Sequence, residues 1–115
     1  MAVLRIVPNL MARDPAQLAA FYRRVLDLAP VMDHGFIATL AGEAAQVQLS
    51  LASEGGSGTP VPAISVEVDD LDKVLARLSV EGIAPDYGPL KEPWGVRRFY
   101  FRDPEGNLVN VLHHG

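Results

Sequence analysis

The 115-residue chain contains no cysteine. It therefore cannot form a disulfide, use a thiolate nucleophile or bind zinc through cysteine. Its apolar residues come in short runs broken by Asp, Gly and Pro, and none reaches the roughly 20 residues that a membrane-spanning helix needs. Clustered positive charge is also scarce, since the formal net charge is −4 and Lys and Arg occur at most in adjacent pairs. Because nucleic-acid phosphates would be repelled, we expect a small-molecule partner, and neither nucleic acid nor a membrane.

The first nine residues, Met1 to Asn9, contain one Arg, no long apolar core and no small-residue cleavage pattern. They do not resemble a secretory signal, so we expect a cytoplasmic protein. Hydrophobic residues make up 49% of the chain, which is enough to bury a core in one domain. We therefore expect residues 1–115 to form a single domain.

The first half of the chain predicts a strand, a helix and three further strands. Residues 4–11 alternate as a strand does, and Asp14 then offers an N-cap acceptor before Pro15 at the first helical position. An apolar stripe at helical spacing follows, formed by Leu18, Phe21, Tyr22, Val25 and Leu26. After Pro30, strands are predicted at residues 30–32, 36–40 and 46–51, separated by turns. This half is therefore a βαβββ module, at about residues 1–52.

The second half repeats this order. Residues 53–62 are rich in Gly and Ser and then Pro, a composition typical of a linker, so we expect the module boundary there. A strand at 63–68, the N-cap Asp70 and a helical stripe from Leu71 to Leu78 follow. Strands are then predicted at 86–90, 96–101 and 107–112, the last two joined by a tight turn at 103–106. A shift of 56 residues places Asp14 on Asp70, which indicates an internal repeat.

These two modules, the second at about residues 63–115, predict an α+β fold with a curved mixed sheet. The helices should cover one face of the sheet, and the other face should form a ligand cleft.

Two sequence runs carry a family resemblance. They are Arg13 to Leu28, which contains Phe-Tyr-Arg-Arg-Val-Leu-Asp-Leu, and Pro93 to Asn107, which contains Pro-Trp-Gly and Phe-Arg-Asp-Pro-Glu-Gly-Asn. Both resemble the vicinal oxygen chelate superfamily of glyoxalases, bleomycin-resistance proteins and extradiol dioxygenases. One departure is Asp27, where a helix-ending glycine is usual and where Asp tolerates the left-handed conformation less well. The resemblance implies two modules that share a sheet, and a homodimer.

Metal-dependent members of that superfamily take one ligand, normally His, Glu or Gln, from each of four strands. The matching positions in this chain are Val7, Gln48, Ala63 and Asn110. Val and Ala have no lone pair to offer, and two neutral amides hold a divalent cation poorly. The three histidines do not replace these ligands, because His34 lies at a predicted turn and the other two at the frayed end of the last strand. We therefore expect no metal and no cofactor, and a closest likeness to the metal-free bleomycin-resistance branch.

Strand alternation predicts which side chains face the cleft. If Leu4, Ile6, Pro8 and Leu10 face the helices, then Arg5, Val7, Asn9 and Met11 face the cleft. The same rule adds Gln46, Gln48, Ser50, Ala63, Ser65, Glu67, Arg98, Tyr100, Leu108, Asn110 and Leu112 to the cleft, and it assigns Phe99, Phe101, Val109 and Val111 to the core. Our candidate ligand-binding residues are Asn9, Met11, Gln48, Ser65, Glu67, Trp94, Arg98, Tyr100 and Asn110.

Several of these candidates have two interpretations. Trp94 could stack on a planar ligand or simply anchor its loop. Arg98 could grip a carboxylate or phosphate, or pair with Glu67 across the cleft. Tyr100 and Glu67 could transfer a proton, but without a metal that chemistry loses its main electrostatic support.

The sequence leaves three functional hypotheses. The first is a metal-independent homodimer of the bleomycin-resistance type, with no catalytic residue, that sequesters a small aromatic or cationic molecule and so confers antibiotic resistance. The second is a glyoxalase-like lyase or isomerase, or a dioxygenase-like enzyme, with a rearranged metal site. The third is a structural or interaction module.

Overall fold

The computed structural model describes residues 1–44 and 47–114. Its elements follow the predicted order of two βαβββ modules: β1 (Val3–Met11), α1 (Pro15–Leu26), β2 (Ala29–Asp33), β3 (Ile37–Ala41), β4 (Gln48–Ala52), β5 (Ile64–Val68), α2 (Leu71–Val80), β6 (Tyr87–Lys91), β7 (Val96–Arg102) and β8 (Leu108–His114). The predicted α+β class is confirmed. Gln46, which was assigned to the cleft, lies outside the described residues. In the described part of the chain, no helix is long and apolar enough to cross a membrane.

The chain divides into two compact units. Val7–Val61 form the N-terminal unit, and Met1–Ile6 together with Pro62–Gly115 form the C-terminal unit. The division runs through β1, which the sequence pattern did not indicate.

The Gly/Ser-rich segment before Pro62 is a hydrogen-bonded loop. The backbone N–H of Gly55 donates to the carbonyl of Thr59 at 2.8 Å, and Glu54 Oε1 accepts from the N–H of Gly58 at 3.0 Å. Gly56 and Gly58 have φ of +89° and +74°. Here the glycines provide backbone conformations that other residues rarely adopt, and not simply flexibility.

The N-terminal unit has the strand order β2-β3-β4-β1, with β1 parallel to β4. The helix α1 begins as predicted, because Asp14 accepts a hydrogen bond from the N–H of Gln17 and Pro15 takes the first helical position. The helix ends at Asp27, whose φ of 56° is left-handed. An aspartate therefore occupies the conformation for which glycine is the usual choice.

The predicted apolar stripe of α1 is partly wrong. Leu18 and Tyr22 do pack on the core formed by Ala12, Ala19, Ala38, Leu40 and Leu51. However, Phe21, Val25 and Leu26 are exposed. The face of α1 that packs on the sheet contains Pro15, Leu18, Ala19 and Tyr22, so it lies to one side of Phe21, Val25 and Leu26.

The C-terminal unit has the order β5-β8-β7-β6, with the first residues of β1 beside β5. Asp70 caps α2 by accepting from the N–H of Lys73 at 3.1 Å, as predicted. The core comprises Val68, Leu71, Phe99, Val109 and Val111, with Phe101 packed against it. The predicted core face of β7 and β8 is thus confirmed.

The helices leave much of the helix-facing side of β1 uncovered. Leu10 pairs in register with Leu51, a residue of the core that packs against α1, so its predicted direction holds. Leu4 and Ile6 in the C-terminal unit and Leu10 in the N-terminal unit are all exposed. The physical reason is that α1 packs against β2, β3 and β4, and α2 packs against β8. Neither helix makes its main contacts with β1.

Candidate functional site

The C-terminal unit carries a row of polar side chains on the sheet face opposite its core. Ser65 pairs in register with Asn110, and Asn110 pairs with Tyr100 on its other side. Two residues away on each strand, Glu67 pairs with Leu112, which pairs with Arg98. We call this set of residues the polar face: Ser65, Glu67, Arg98, Tyr100 and Asn110. It follows directly from alternation, because the neighbours of these residues on β7 and β8 form the core.

Arg98 is held in a buried ion pair with Glu92. Its Nη2 lies 2.6 Å and its Nε 2.7 Å from Glu92 Oε2, and the two side chains are only 3% and 2% exposed. Its Nη1 donates to the hydroxyl of Tyr100 at 3.0 Å. The carboxylate that pairs with Arg98 is thus that of Glu92, and not that of Glu67 as one of the two interpretations of Arg98 had it. Sequence reasoning missed Glu92, although a hairpin closed by Pro-Trp-Gly brings residues 92 and 98 close together.

Three aromatic rings surround the Arg98 guanidinium. Its Cζ lies 5.4 Å from the ring centre of Tyr87, 5.0 Å from that of Trp94 and 4.9 Å from that of Tyr100. The hydroxyl of Tyr87 also donates to Glu92 Oε2 at 2.9 Å. Cation–π contacts of this kind stabilise by about 0.5–2 kcal/mol each. For Trp94, these contacts support the interpretation in which it anchors its own loop.

Glu67 is held by two partners within the C-terminal unit. Arg5 Nε lies 2.6 Å from Glu67 Oε1, and His114 Nδ1 lies 2.7 Å from Oε2. Burial raises the pKa of Glu67, but the hydrogen bonds from His114 and Arg5 outweigh it and hold this pKa below its ordinary value. The structure thus engages Glu67 with these two residues and does not pair it with Tyr100 for proton transfer. His113 and His114 both belong to β8, which ends at His114.

Asn110 is the polar residue of this face with an unmet hydrogen bond. Its Nδ2 donates to Ser65 Oγ at 3.1 Å, and the residue is only 6% exposed. Its Oδ1 is buried and has no hydrogen-bond partner among the described residues. A buried acceptor without a partner costs about 1–3 kcal/mol. Such a group in a folded protein is accounted for by a water, an ion or a ligand.

The other three predicted ligand-binding residues lie in the N-terminal unit. Asn9 is half-buried on β1 and pairs in register with Ser50 of β4. Gln48 is half-buried at the start of β4, whereas Met11 is exposed at the end of β1. The structure thus groups Ser65, Glu67, Trp94, Arg98, Tyr100 and Asn110 in one unit and Asn9, Met11 and Gln48 in the other.

The residues at the inherited metal positions do not fit a divalent cation. Val7 is a buried aliphatic side chain, and Ala63 carries only a methyl group. Asn110 offers one neutral amide oxygen, Oδ1, because its Nδ2 donates to Ser65. In residues 1–44 and 47–114, no group of three or more His, Cys, Asp or Glu side chains could hold a metal ion. A hard divalent cation needs more oxygen donors than these positions provide.

Comparison with known proteins supports the fold and the family. Residues 3–111 match the family model "Glyoxalase/Bleomycin resistance protein/Dioxygenase superfamily", and a search of curated proteins finds no match. Among solved structures, a superfamily member from Vibrio splendidus 12B01 is 18% identical, with a TM-score of 0.65 over 97% of this chain and 99% of that one.

Two further structures have the same fold. One is described as an NAD-dependent benzaldehyde dehydrogenase from Legionella pneumophila; it is 16% identical, with a TM-score of 0.77 over 96% of this chain and 99% of that one. The other is a Streptomyces coelicolor methylmalonyl-CoA epimerase in complex with 2-nitronate-propionyl-CoA; it is 17% identical, with a TM-score of 0.68 over 99% and 96% of the two chains. At these identities, the likeness concerns the fold alone. The match of the family model over nearly the whole chain establishes that this protein belongs to the glyoxalase/bleomycin resistance protein/dioxygenase superfamily.

Proposed function

We propose that this chain is a small-molecule binding protein that holds its ligand against the polar face without a divalent metal. The observation that carries the proposal is Asn110, whose buried Oδ1 lacks a hydrogen-bond partner among the described residues. A ligand that donates a hydrogen bond to this oxygen would recover the free energy that its burial costs. Ser65, already bonded to the same amide, adds a hydroxyl beside it.

The chemistry of the inherited metal positions supports binding over metal-assisted catalysis. An isomerase or lyase of the glyoxalase type uses its metal to stabilise negative charge that develops on the substrate. Val7 and Ala63 provide no donor for such an ion. The remaining polar groups are suited to orienting a ligand by hydrogen bonds, as a few polar groups do in most small-molecule sites.

A second candidate function is proton transfer without a metal, and the contact between Glu67 and His114 favours it. Glu67 Oε2 lies 2.7 Å from His114 Nδ1, so the carboxylate can orient the imidazole and leave Nε2 as the base. Methylmalonyl-CoA epimerase, an isomerase by name, has the same fold. Racemisation of a CoA thioester that is unaffected by EDTA and lost in His114→Gln would establish this candidate over simple binding.

The proposal also includes the features that the family resemblance implies. We propose a homodimer in the cytoplasm that sequesters its ligand, with resistance to a toxic compound as one consequence. Sedimentation at micromolar concentration measures the dimer directly. A monomer under these conditions would remove the dimer from the proposal and leave the binding site in place.

The test of the proposal combines metal analysis with ligand binding. Untagged protein that was purified without a chelator is assayed for bound metals. Its melting temperature is then measured with added Mn²⁺, Ni²⁺, Zn²⁺ or Mg²⁺. We expect less than about a tenth of an equivalent of metal and no rise in melting temperature, because a metal that binds only the folded state must stabilise it. One divalent ion per chain would overturn the proposal.

A compound library is then screened against the wild type and Asn110→Leu. A ligand at about 100 times its Kd stabilises the folded state by about 2.7 kcal/mol. For a chain of 115 residues this raises the melting temperature by about 10 °C. We expect compounds that stabilise the wild type and fail to stabilise Asn110→Leu. Ser79→Ala, a substitution at an exposed position of α2, is the matched control, and it should be stabilised by every compound that stabilises the wild type.

A further inference from the structure

The charged side chains of the polar face are already neutralised by partners within the chain. Glu67 uses Oε1 toward Arg5 and Oε2 toward His114. Arg98 directs Nε and Nη2 to Glu92 and Nη1 to the hydroxyl of Tyr100. Both carboxylates therefore have cationic partners at 2.6 Å.

A charged ligand would have to compete with these pairs. An anion could reach the Arg98 guanidinium only by displacing Glu92, and both side chains are at least 97% buried. Breaking such a pair leaves a buried charge without its partner, which costs several kcal/mol. A cation would find the rings of Tyr87, Trp94 and Tyr100 already in contact with Arg98. Although the chain as a whole is acidic, the carboxylates of Glu67 and Glu92 are both paired with cationic side chains.

The group that remains available is neutral. Asn110 donates through Nδ2 to Ser65 and has a buried acceptor, Oδ1, without a partner in the described part of the chain. An acceptor of this kind is satisfied by an N–H or O–H group. A neutral donor fulfils this requirement without bringing an unpaired charge into a buried site.

From these contacts we infer that the ligand is uncharged where it meets the polar face, and that it presents an N–H or O–H donor to Asn110 Oδ1. Carboxamides, lactams and alcohols are the ligand classes that fit. The inference rests on the proposed function and specifies its ligand. It narrows the aromatic or cationic molecule expected from the sequence to an uncharged one.

Three probes of nearly equal shape separate charge from size. Benzamide is neutral, benzoate is an anion and benzamidinium is a cation at pH 7, and each carries one phenyl ring. Each is titrated at millimolar concentration into ¹⁵N-labelled wild-type protein, and the shifts of the Asn110 side-chain amide and of the β5 and β8 backbone are followed. We expect benzamide to shift these signals, and both charged probes to bind there at least about tenfold more weakly.

A charge substitution at Asn110 makes the test sharper. Asn110→Asp places an unpaired carboxylate at the position of the amide, so we expect the preference to change from benzamide to benzamidinium. Gln17→Glu adds the same charge at an exposed site on α1 and should retain the preference for benzamide. If Asn110→Asp does not fold, Asn110→Leu and Ser65→Ala remain, and both should lose benzamide binding while keeping the melting transition.

The outcomes separate this inference from the proposed function. If benzoate or benzamidinium binds the polar face of the wild type as tightly as benzamide, the ligand is not selected for neutrality and the inference is wrong, although a binding site remains. If benzamide fails to bind, the inference is tested by the charge of those library compounds whose binding requires Asn110. Neutral compounds support the inference, and charged compounds overturn it. If the library also yields no Asn110-dependent compound, the proposed function itself fails.

Discussion

The buried pair of Arg98 and Glu92 gives the most quantitative prediction. Arg98→Met keeps much of the volume of the side chain but leaves the Glu92 carboxylate buried without its cationic partner. Glu92→Gln leaves the guanidinium buried against a neutral amide. Removing one member of a buried ion pair costs about 3–5 kcal/mol. We expect each single substitution to destabilise the protein by that amount.

These changes are large relative to the stability of a small domain. At about 0.05–0.15 kcal/mol per residue, a chain of 115 residues has a free energy of unfolding of about 6–17 kcal/mol. Its unfolding entropy of about 2.1 cal/mol/K per residue gives about 0.24 kcal/mol/K. A loss of about 4 kcal/mol therefore lowers the melting temperature by about 15–20 °C. The variants should still fold at room temperature, so their stability can be measured.

The assay is urea unfolding of the wild type, both single variants and the double variant. Because the double variant contains neither charge, we expect it to be less destabilised than the sum of the two single variants, with a coupling energy above about 2 kcal/mol. Arg97 is the matched control, since it pairs with Asp72 at 3.0 Å but the two side chains are 44% and 75% exposed. Arg97→Met should cost less than about 1 kcal/mol. Equal losses for Arg97→Met and Arg98→Met would refute the reasoning.

Three further predictions follow from single residues. The pKa of Glu67 is lowered in the folded state, so the ionised carboxylate stabilises the fold fully above its unfolded pKa of about 4.3, and this stabilisation is lost as the pH falls through the lower folded value. In urea unfolding between pH 6 and pH 3, the wild type should therefore lose more stability than Glu67→Gln. Parallel losses would contradict this prediction. Asp27→Gly should raise the free energy of unfolding by about 0.5–1 kcal/mol, because Asp27 has a φ of 56°; an unchanged urea midpoint would count against it. Gly88→Ala should destabilise by more than about 2 kcal/mol, since its Cβ would lie 2.7 Å from the carbonyl oxygen of Arg98 at a φ of +74°, and a melting temperature within a few degrees of wild type would contradict it.

The features of the fold that could be predicted are those encoded locally. Asp14 and Asp70 mark the two helix starts because each accepts a hydrogen bond from the N–H three residues on. Asp103 marks the last turn for a similar reason, accepting from the N–H groups of Glu105 and Asn107. These interactions lie within five residues of sequence, so no knowledge of the tertiary structure was needed to find them.

The features that could not be predicted depend on which element covers which surface. The spacing of Phe21, Val25 and Leu26 indicated a helix correctly, yet these side chains are exposed. A periodic pattern identifies an apolar stripe, but the packing of α1 through Ala19 decides which stripe is buried. The exposure of Leu4 and Ile6 has the same origin, because alternation cannot tell which strands a helix covers.

For the candidate site, alternation identified the side chains of the polar face but not their partners. Arg98, Tyr100 and Asn110 do share one face, as predicted. The pairing of Arg98 with Glu92 depends on the geometry of a hairpin turn, and the pairing of Glu67 with Arg5 spans 62 residues of sequence. Pairings of this kind decide whether a charge remains available for a ligand. Sequence analysis therefore left an aromatic or a cationic ligand open, whereas the contacts favour a neutral one.

The two faces of the C-terminal sheet explain how one fold can keep its architecture while its chemistry changes. On β7, Phe99 is buried in the core, whereas Arg98 and Tyr100 on either side of it point to the opposite face. On β8, Val109 and Val111 alternate with Asn110 in the same way. Because neighbouring residues on a strand serve different faces, a substitution at Asn110 can change the chemistry of the polar face without removing a core side chain. Membership of the family is therefore compatible with a changed set of polar side chains on this face.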